Sequence, residues 1–92
     1  MKLVVTNGTS STEYPLLKHT VTLGSAPDAD IQLPDPAVLP RHAVIWHSRG
    51  MYAIGTWDSQ GEVLVNDKPA IPGQPLWPGD KITLGQTHLL FL

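Results

Sequence analysis

An all-β sandwich of short antiparallel strands is the fold class this sequence predicts, and three observations point to it. β-branched and aromatic residues alternate with polar ones over short spans, as in Ala43-Val44-Ile45-Trp46-His47-Ser48, the period of a strand with one buried face. Nine prolines and eight glycines punctuate the 92 residues, so no helical period runs long. A 41% hydrophobic share against 15% charged residues supplies one core and excludes a solvated, disordered chain.

The elements follow in order. Residues 2–6 form the first alternating strand, and Asn7-Gly8 supplies the positive φ of a tight turn. Strands are expected next over 13–18, 20–23 and 30–33, each bounded by Gly, Pro or Asp. Pro34, Pro36 and Pro40 keep the following segment out of any central ladder. Residues 43–48 and 51–56 read as a hairpin closed by Arg49-Gly50. Strands over 63–66, 81–84 and 88–92 complete the set. One core is expected to gather Leu23, Ile31, Leu33, Ala43, Ile45, Ile54, Val65, Ile82 and Leu84, with Trp57 and Trp77 at its edges.

Ninety-two residues suffice for one domain, 1–92, and contain no internal repeat, low-complexity tract or linker. The abrupt apolar ending Leu89-Leu90-Phe91-Leu92 reads equally as a module cut from a larger protein. The net charge is −2 and the six basic residues are spread singly, an arrangement without a footprint for nucleic acid or an anionic membrane. The absence of cysteine removes disulfides, thiolate metal sites and cysteine nucleophiles. No apolar run approaches the ~20 residues that span a bilayer, and Met1-Lys2-Leu3-Val4-Val5 is too short for a signal peptide. The chain therefore reads as cytoplasmic.

Motifs carry the reading further. Thr22-Leu23-Gly24-Ser25, Asp30-Ile31-Gln32-Leu33, Arg41-His42-Ala43, Val65-Asn66 and the run from Leu76 through Gly79-Asp80 to Gly85 together resemble a forkhead-associated (FHA) domain over most of the chain. The resemblance implies a sandwich of about eleven strands in two sheets, with three loops at one end forming a phosphothreonine-peptide site. Those loops carry an apolar-Gly-Arg corner, a Ser-x-x-His loop and a Ser-x-Asn-Gly loop.

This sequence departs from the pattern at several of those positions. Gly24 is followed by Ser25 where the family has Arg, which loses a charge and the guanidinium fork that grips phosphate oxygens. Leu39 replaces the Ser of the second loop, while Arg41 and His42 are kept. In the third loop, alignment back from Val65-Asn66 sets Ser59-Gln60-Gly61-Glu62 opposite Ser-x-Asn-Gly, so Gly61 takes the place of the clamping Asn. A shift of one residue makes the pair Gln60-Gly61 instead, and neither alignment restores Asn. Asp28, Asp35, Asp58 and Glu62 stand against the single cation Arg41, a net acidic balance that disfavours a ligand of about −1.5 to −2 charge.

The retained residues also have structural readings. By resemblance His42 braces loop backbone and Asn66 is a structural motif residue that anchors the third-loop alignment, while turn chemistry has Gly24, Gly79 and Gly85 permit turns and Asp80 bond local amides. His19, His42, His47 and His88 lack the spacing of a metal site. A hydrolase triad of Ser25, Ser59 and His42 lacks any nucleophile-elbow pattern.

A second surface follows from alternation. If Ala43 and Ile45 point inward, Val44 and Trp46 point outward, with Met51 and Ala53 alongside across the hairpin. Such an apolar face with a tryptophan suits a partner or self-association. The expected function is a non-catalytic protein-protein interaction module of FHA type, without cofactor, whose phosphothreonine pocket is degraded and whose contacts run through loops or sheet face. The alternative is a weak or relaxed phosphopeptide reader using Ser25, Arg41, Ser59 and Gln60. A small His-dependent hydrolase or metalloprotein is the reading from another class.

Overall fold

The computed structural model describes residues 1–92, the side chain of Asn7 excepted. In chain order the strands are β1 (Lys2–Asn7), β2 (Ser10–Pro15), β3 (Thr20–Gly24), β4 (Ile31–Gln32), β5 (Ala43–Ser48), β6 (Met51–Thr56), β7 (Val63–Val65), β8 (Lys68–Pro69), β9 (Gln74–Leu76), β10 (Lys81–Leu84) and β11 (Thr87–Phe91). They build a six-stranded sheet in the order β2-β1-β11-β10-β7-β8 and a five-stranded sheet in the order β4-β3-β5-β6-β9. The expected FHA-like sandwich is the fold observed.

Turn chemistry sets the register. Arg49 and Gly50 have φ of 55° and 77°, closing the Ser48↔Met51 pair as a type I′ turn. Asn66 and Asp67, at 53° and 68°, do the same between Val65 and Lys68. Asn66, expected as the last residue of a strand over 63–66, is therefore a turn residue, one past the observed end of β7.

All nine expected core residues are buried, joined by Leu3, Val38, Leu76, Leu89 and Phe91 among others. Phe91 meets Tyr52 at 5.3 Å and 60°, and Tyr52 lies 4.2 Å from the parallel ring of His47. Alternation along β5 explains the sorting, since Ala43 and Ile45 are buried while Val44 and Trp46 are half-buried.

Four details differ from the sequence reading. The second strand lies over Ser10–Pro15 instead of 13–18, because the turn centres on Gly8-Thr9, with Gly8 at φ 64°, and the strand starts directly after it. Its Ser-Ser-Thr-Glu run lacks apolar alternation because it lies on a sheet edge. β8 and β9 were not anticipated, being short and interrupted by Pro69 and Pro75. β3 and β4 pair in parallel through Leu23↔Ile31 and Gly24↔Gln32, so one pairing is not antiparallel. Trp57 and Trp77 are 44% and 56% exposed and lie outside the core, on loops beyond the ends of β6 and β9.

Candidate functional site

Three segments converge at one end of the sandwich: the Gly24-Ser25 corner after β3, the loop from Leu33 to His42, and the loop from Trp57 to Glu62. The corner is stapled to the second loop by backbone bonds. Ser25 N–H donates to Leu39 C=O at 3.0 Å, Ala26 N–H to Pro40 C=O at 3.3 Å, and His42 N–H to Leu23 C=O at 3.0 Å. Gly24 is required there, because a Cβ would collide with the Pro40 carbonyl.

His42 is 2% exposed and joins the second and third loops. Leu39 N–H donates to its Nδ1 at 3.1 Å, which leaves the ring proton on Nε2 to be donated to the Glu62 carbonyl at 2.8 Å. Both ring nitrogens are thereby occupied by backbone, so His42 acts as a brace and offers no lone pair to a substrate or metal. Gly61 is buried beneath it: a Cβ on Gly61 would stand 2.9 Å from His42 Cδ2 and 3.0 Å from His42 O. Ser59 and Gln60, by contrast, are exposed at the loop tip. The tip is held by Asp58, whose Oδ1 accepts from Gln60 N–H at 2.9 Å and whose carbonyl accepts from Gly61 N–H at 2.8 Å.

Arg41 is exposed and already engaged. Its guanidinium carbon lies 5.2 Å from the centre of the Trp57 ring, and its Nη2 is 3.6 Å from Asp28 Oδ2. Trp57 is in turn placed by its N–H bond to His42 C=O at 3.1 Å. Ser25 and Leu39 are half-buried on the facing segments. The structure thus brings Ser25, Leu39 and Arg41 to the same end as Ser59 and Gln60, while Gly61 sits below the surface.

Asp35 has a task the sequence reading missed. Its Oδ1 accepts from Ala37 N–H at 2.9 Å, and its Oδ2 accepts from Gln86 N–H at 2.9 Å and Thr87 Oγ1–H at 2.8 Å. The carboxylate ties the second loop to the β10–β11 turn. These donors, the Ala37 amide foremost and then the Thr87 hydroxyl, hold its carboxyl below the usual carboxylate range. Asp35 therefore belongs to a local clasp of neutral donors and keeps its negative charge in the acidic balance of the loops. Its Asp-Pro-Ala context carried the signal of a turn-forming Asp.

A family model described as the cytoplasmic domain of the inner-membrane component of the type III secretion system (T3SS) matches residues 4–92. The chain belongs to this FHA-type family. It is 34% identical over 91 residues to an "Oxoglutarate dehydrogenase inhibitor" of Corynebacterium efficiens, covering 98% of this chain and 63% of the relative. The chain thus spans under two thirds of the length of that relative. Among solved structures, the FhaA FHA domain complexed with the intracellular domain of Rv3910 superposes with a TM-score of 0.86 at 27% identity, covering 97% of this chain and 96% of that one. Mycobacterium tuberculosis EmbR in complex with a low-affinity phosphopeptide gives 0.86 at 27% identity, covering 98% of this chain and 24% of EmbR.

Elsewhere in this FHA-type domain the remaining motif residues form a second clasp. Asp80 Oδ2 accepts from Trp77 N–H at 2.8 Å and its Oδ1 from Asn66 Nδ2–H at 2.9 Å, while Asn66 Oδ1 accepts from Lys81 N–H at 3.0 Å. Gly79, at φ 98°, donates its N–H to Phe91 C=O at 2.7 Å. Another clasp fixes the start of β3, where Asp30 accepts from Lys18 Nζ, Thr22 N–H and Thr22 Oγ1–H. The Lys18 bond first, with the Thr22 amide, lowers its carboxyl below the usual range.

The outer face of the five-stranded sheet carries Val44, Trp46, Met51 and Ala53 together, through the pairs Val44↔Gly55, Trp46↔Ala53 and Ser48↔Met51. The Trp46 ring lies over Gly55, where a Cβ would stand 3.0 Å from Cζ3 and 3.1 Å from Cη2. Beside it Ala70, Ile71, Pro72 and Gly73 complete a slot of about 320 Å³. Ile71, in the slot, and Met51, at the hairpin end of the same sheet, are exposed.

Proposed function

We propose that this FHA-type domain is a non-catalytic, cytoplasmic protein-interaction module, folded as one unit over residues 1–92, whose loop end grips phosphothreonine weakly or not at all. One observation carries the reading: the single cation of the loop end, Arg41, is engaged by Trp57 and Asp28. Ser25 supplies no second guanidinium to replace it, and Leu39 supplies no hydroxyl. A phosphate entering here would have to exchange its water for an engaged cation and the neutral donors of Ser25, Ser59 and Gln60, with no second guanidinium. His42, the one histidine of these loops, is committed through both nitrogens, which argues against a hydrolytic role.

Partners would then dock on the exposed loop tips or on the Val44, Trp46, Met51 and Ala53 face. The second reading is a relaxed phosphopeptide reader built on Ser25, Arg41, Ser59 and Gln60, favoured by the exposure of Ser59 and Gln60 at the tip. Isothermal titration with a phosphothreonine peptide and its unmodified twin separates the two. We expect the phosphate to add less than about 1.4 kcal/mol, tenfold in affinity. A larger preference overturns the proposal in favour of the second reading.

A further inference from the structure

The exposed edge of β2 is the one long, unprotected strand edge of the sandwich, and we infer that it pairs antiparallel with β2 of a second copy of this chain, joining two six-stranded sheets into one. The inference is independent of the loop-end reading. Sheet edges are templates for strand addition unless length, proline or charge blunts them. Here β4 and β8 are two residues long, β8 with Lys68 and Pro69, and β9 has Pro75 at its centre. β2 runs six residues, with proline only at its final position.

The direction of its backbone groups follows from the ladder. In an antiparallel pair hydrogen-bonded and non-bonded positions alternate. Lys2 exchanges both backbone bonds with Leu92, so Val4 and Thr6 also face β11 while Leu3 and Val5 face β2. Their partners Tyr14 and Thr12 are thereby bonded to β1, consistent with the Leu16 N–H bond to Met1 C=O. Ser11, Glu13 and Pro15 consequently direct their backbone groups away from the sheet. Among the described residues none accepts from the Ser11 or Glu13 N–H.

Those groups select a self-complementary register. Setting Ser11 opposite Glu13 of the second copy makes the reciprocal pair by symmetry, and the two pairs exchange four backbone bonds. Thr12 then meets Thr12 of the second copy on the two-fold axis, a favourable cross-strand pair. Glu13 faces serine and not its own counterpart, and its charge is met by Lys2 Nζ at 2.7 Å. Sliding by one step either loses two bonds or sets Glu13 against Glu13. On its inner side β2 borders a groove of about 780 Å³, where Thr12 and Tyr14 face Leu33 to Pro36, and among the described residues no strand pairs with its outer edge.

Sedimentation equilibrium of the protein up to about 1 mM tests the inference, with a weak dimer expected at a Kd on the order of 100 μM. Hydrogen exchange at the Ser11 and Glu13 amides is expected to slow as concentration rises. Ser11→Pro removes an outward donor without touching the β1 ladder, and Thr12→Lys sets two cations together on the axis. Each is expected to weaken dimerisation tenfold or more with the circular dichroism spectrum unchanged. Should Ser11→Pro unfold the chain, Thr12→Lys and the amide exchange decide. A monomer throughout overturns the inference, as does protection of these amides only by an added extended peptide of another sequence. A dimer indifferent to Thr12→Lys but lost in Trp46→Ala also overturns it, in favour of the sheet face.

Discussion

The ring of His42 lies so close over Gly61 that a Cβ added to that glycine would stand 2.9 Å from His42 Cδ2. The same ring joins Leu39 to Glu62, so one buried side chain sets the separation of two loops. Gly61→Ala must displace either the ring or the His42 carbonyl, and overpacking of this kind costs about 1–3 kcal/mol. Urea denaturation is expected to show that loss.

His42→Ala leaves the Leu39 amide and the Glu62 carbonyl without their partner. Each stranded group costs about 1–3 kcal/mol if water cannot reach it. We expect lower stability, together with line broadening confined to residues 37–42 and 57–62 in heteronuclear spectra. A loss of stability with those loops unchanged would contradict the bracing role.

Asp35 and Asp30 both have carboxyls lowered by hydrogen bonds that exist only in the folded chain. The folded state binds fewer protons than the unfolded one in this range, so their contribution is complete above the unfolded carboxylate value of about 3.9 and disappears as pH falls through the lowered folded value. Thermal midpoints should therefore fall below about pH 4. Asp35→Asn is expected to lower the neutral-pH midpoint and to flatten that acid limb, because an amide cannot titrate and its NH2 must face either the Ala37 donor or the Gln86 and Thr87 donors.

The fold was legible where side-chain period and turn chemistry spoke together. Ala43 to Thr56 is the clearest case, since alternation fixed the faces and Arg49-Gly50 fixed the register. β2 was misplaced because an edge strand with little to bury carries no apolar period, and β8 and β9 were missed because edges also tolerate proline. At the loop end, the sequence named Ser25, Leu39, Arg41, His42, Ser59 and Gln60, all of which lie there. The contact of Arg41 with Trp57 and Asp28, and the burial of Gly61, depend on how three separate loops meet, which local pattern does not encode.

Trp46 occupies the middle of an apolar face but is half-covered by its own contact with Gly55. Trp46→Ala is therefore expected to cost about 1 kcal/mol of stability, intermediate between a free surface site and a core site. The β2 dimer should be unaffected, while capture of a protein partner by this face should weaken by about 2 kcal/mol or more. A sharp drop in thermal midpoint with partner capture unchanged would remove the face as a docking surface.

Restoring phosphothreonine recognition tests the loop geometry directly. Ser25→Arg returns a guanidinium fork, and Leu39→Ser returns a hydroxyl on the facing loop. The clamping amide is the discriminating choice. Gly61→Asn would drive a side chain into His42, whereas Gln60 is already exposed at the tip, so Gln60→Asn adds the shorter amide without collision. The triple variant with Gln60→Asn is expected to prefer a phosphothreonine peptide over its unmodified twin by at least about 1.4 kcal/mol, tenfold in affinity. The triple variant with Gly61→Asn should be less stable and show no such gain. Equal preference in both variants would mean that the third loop rearranges freely, and that His42 does not hold Gly61 in place.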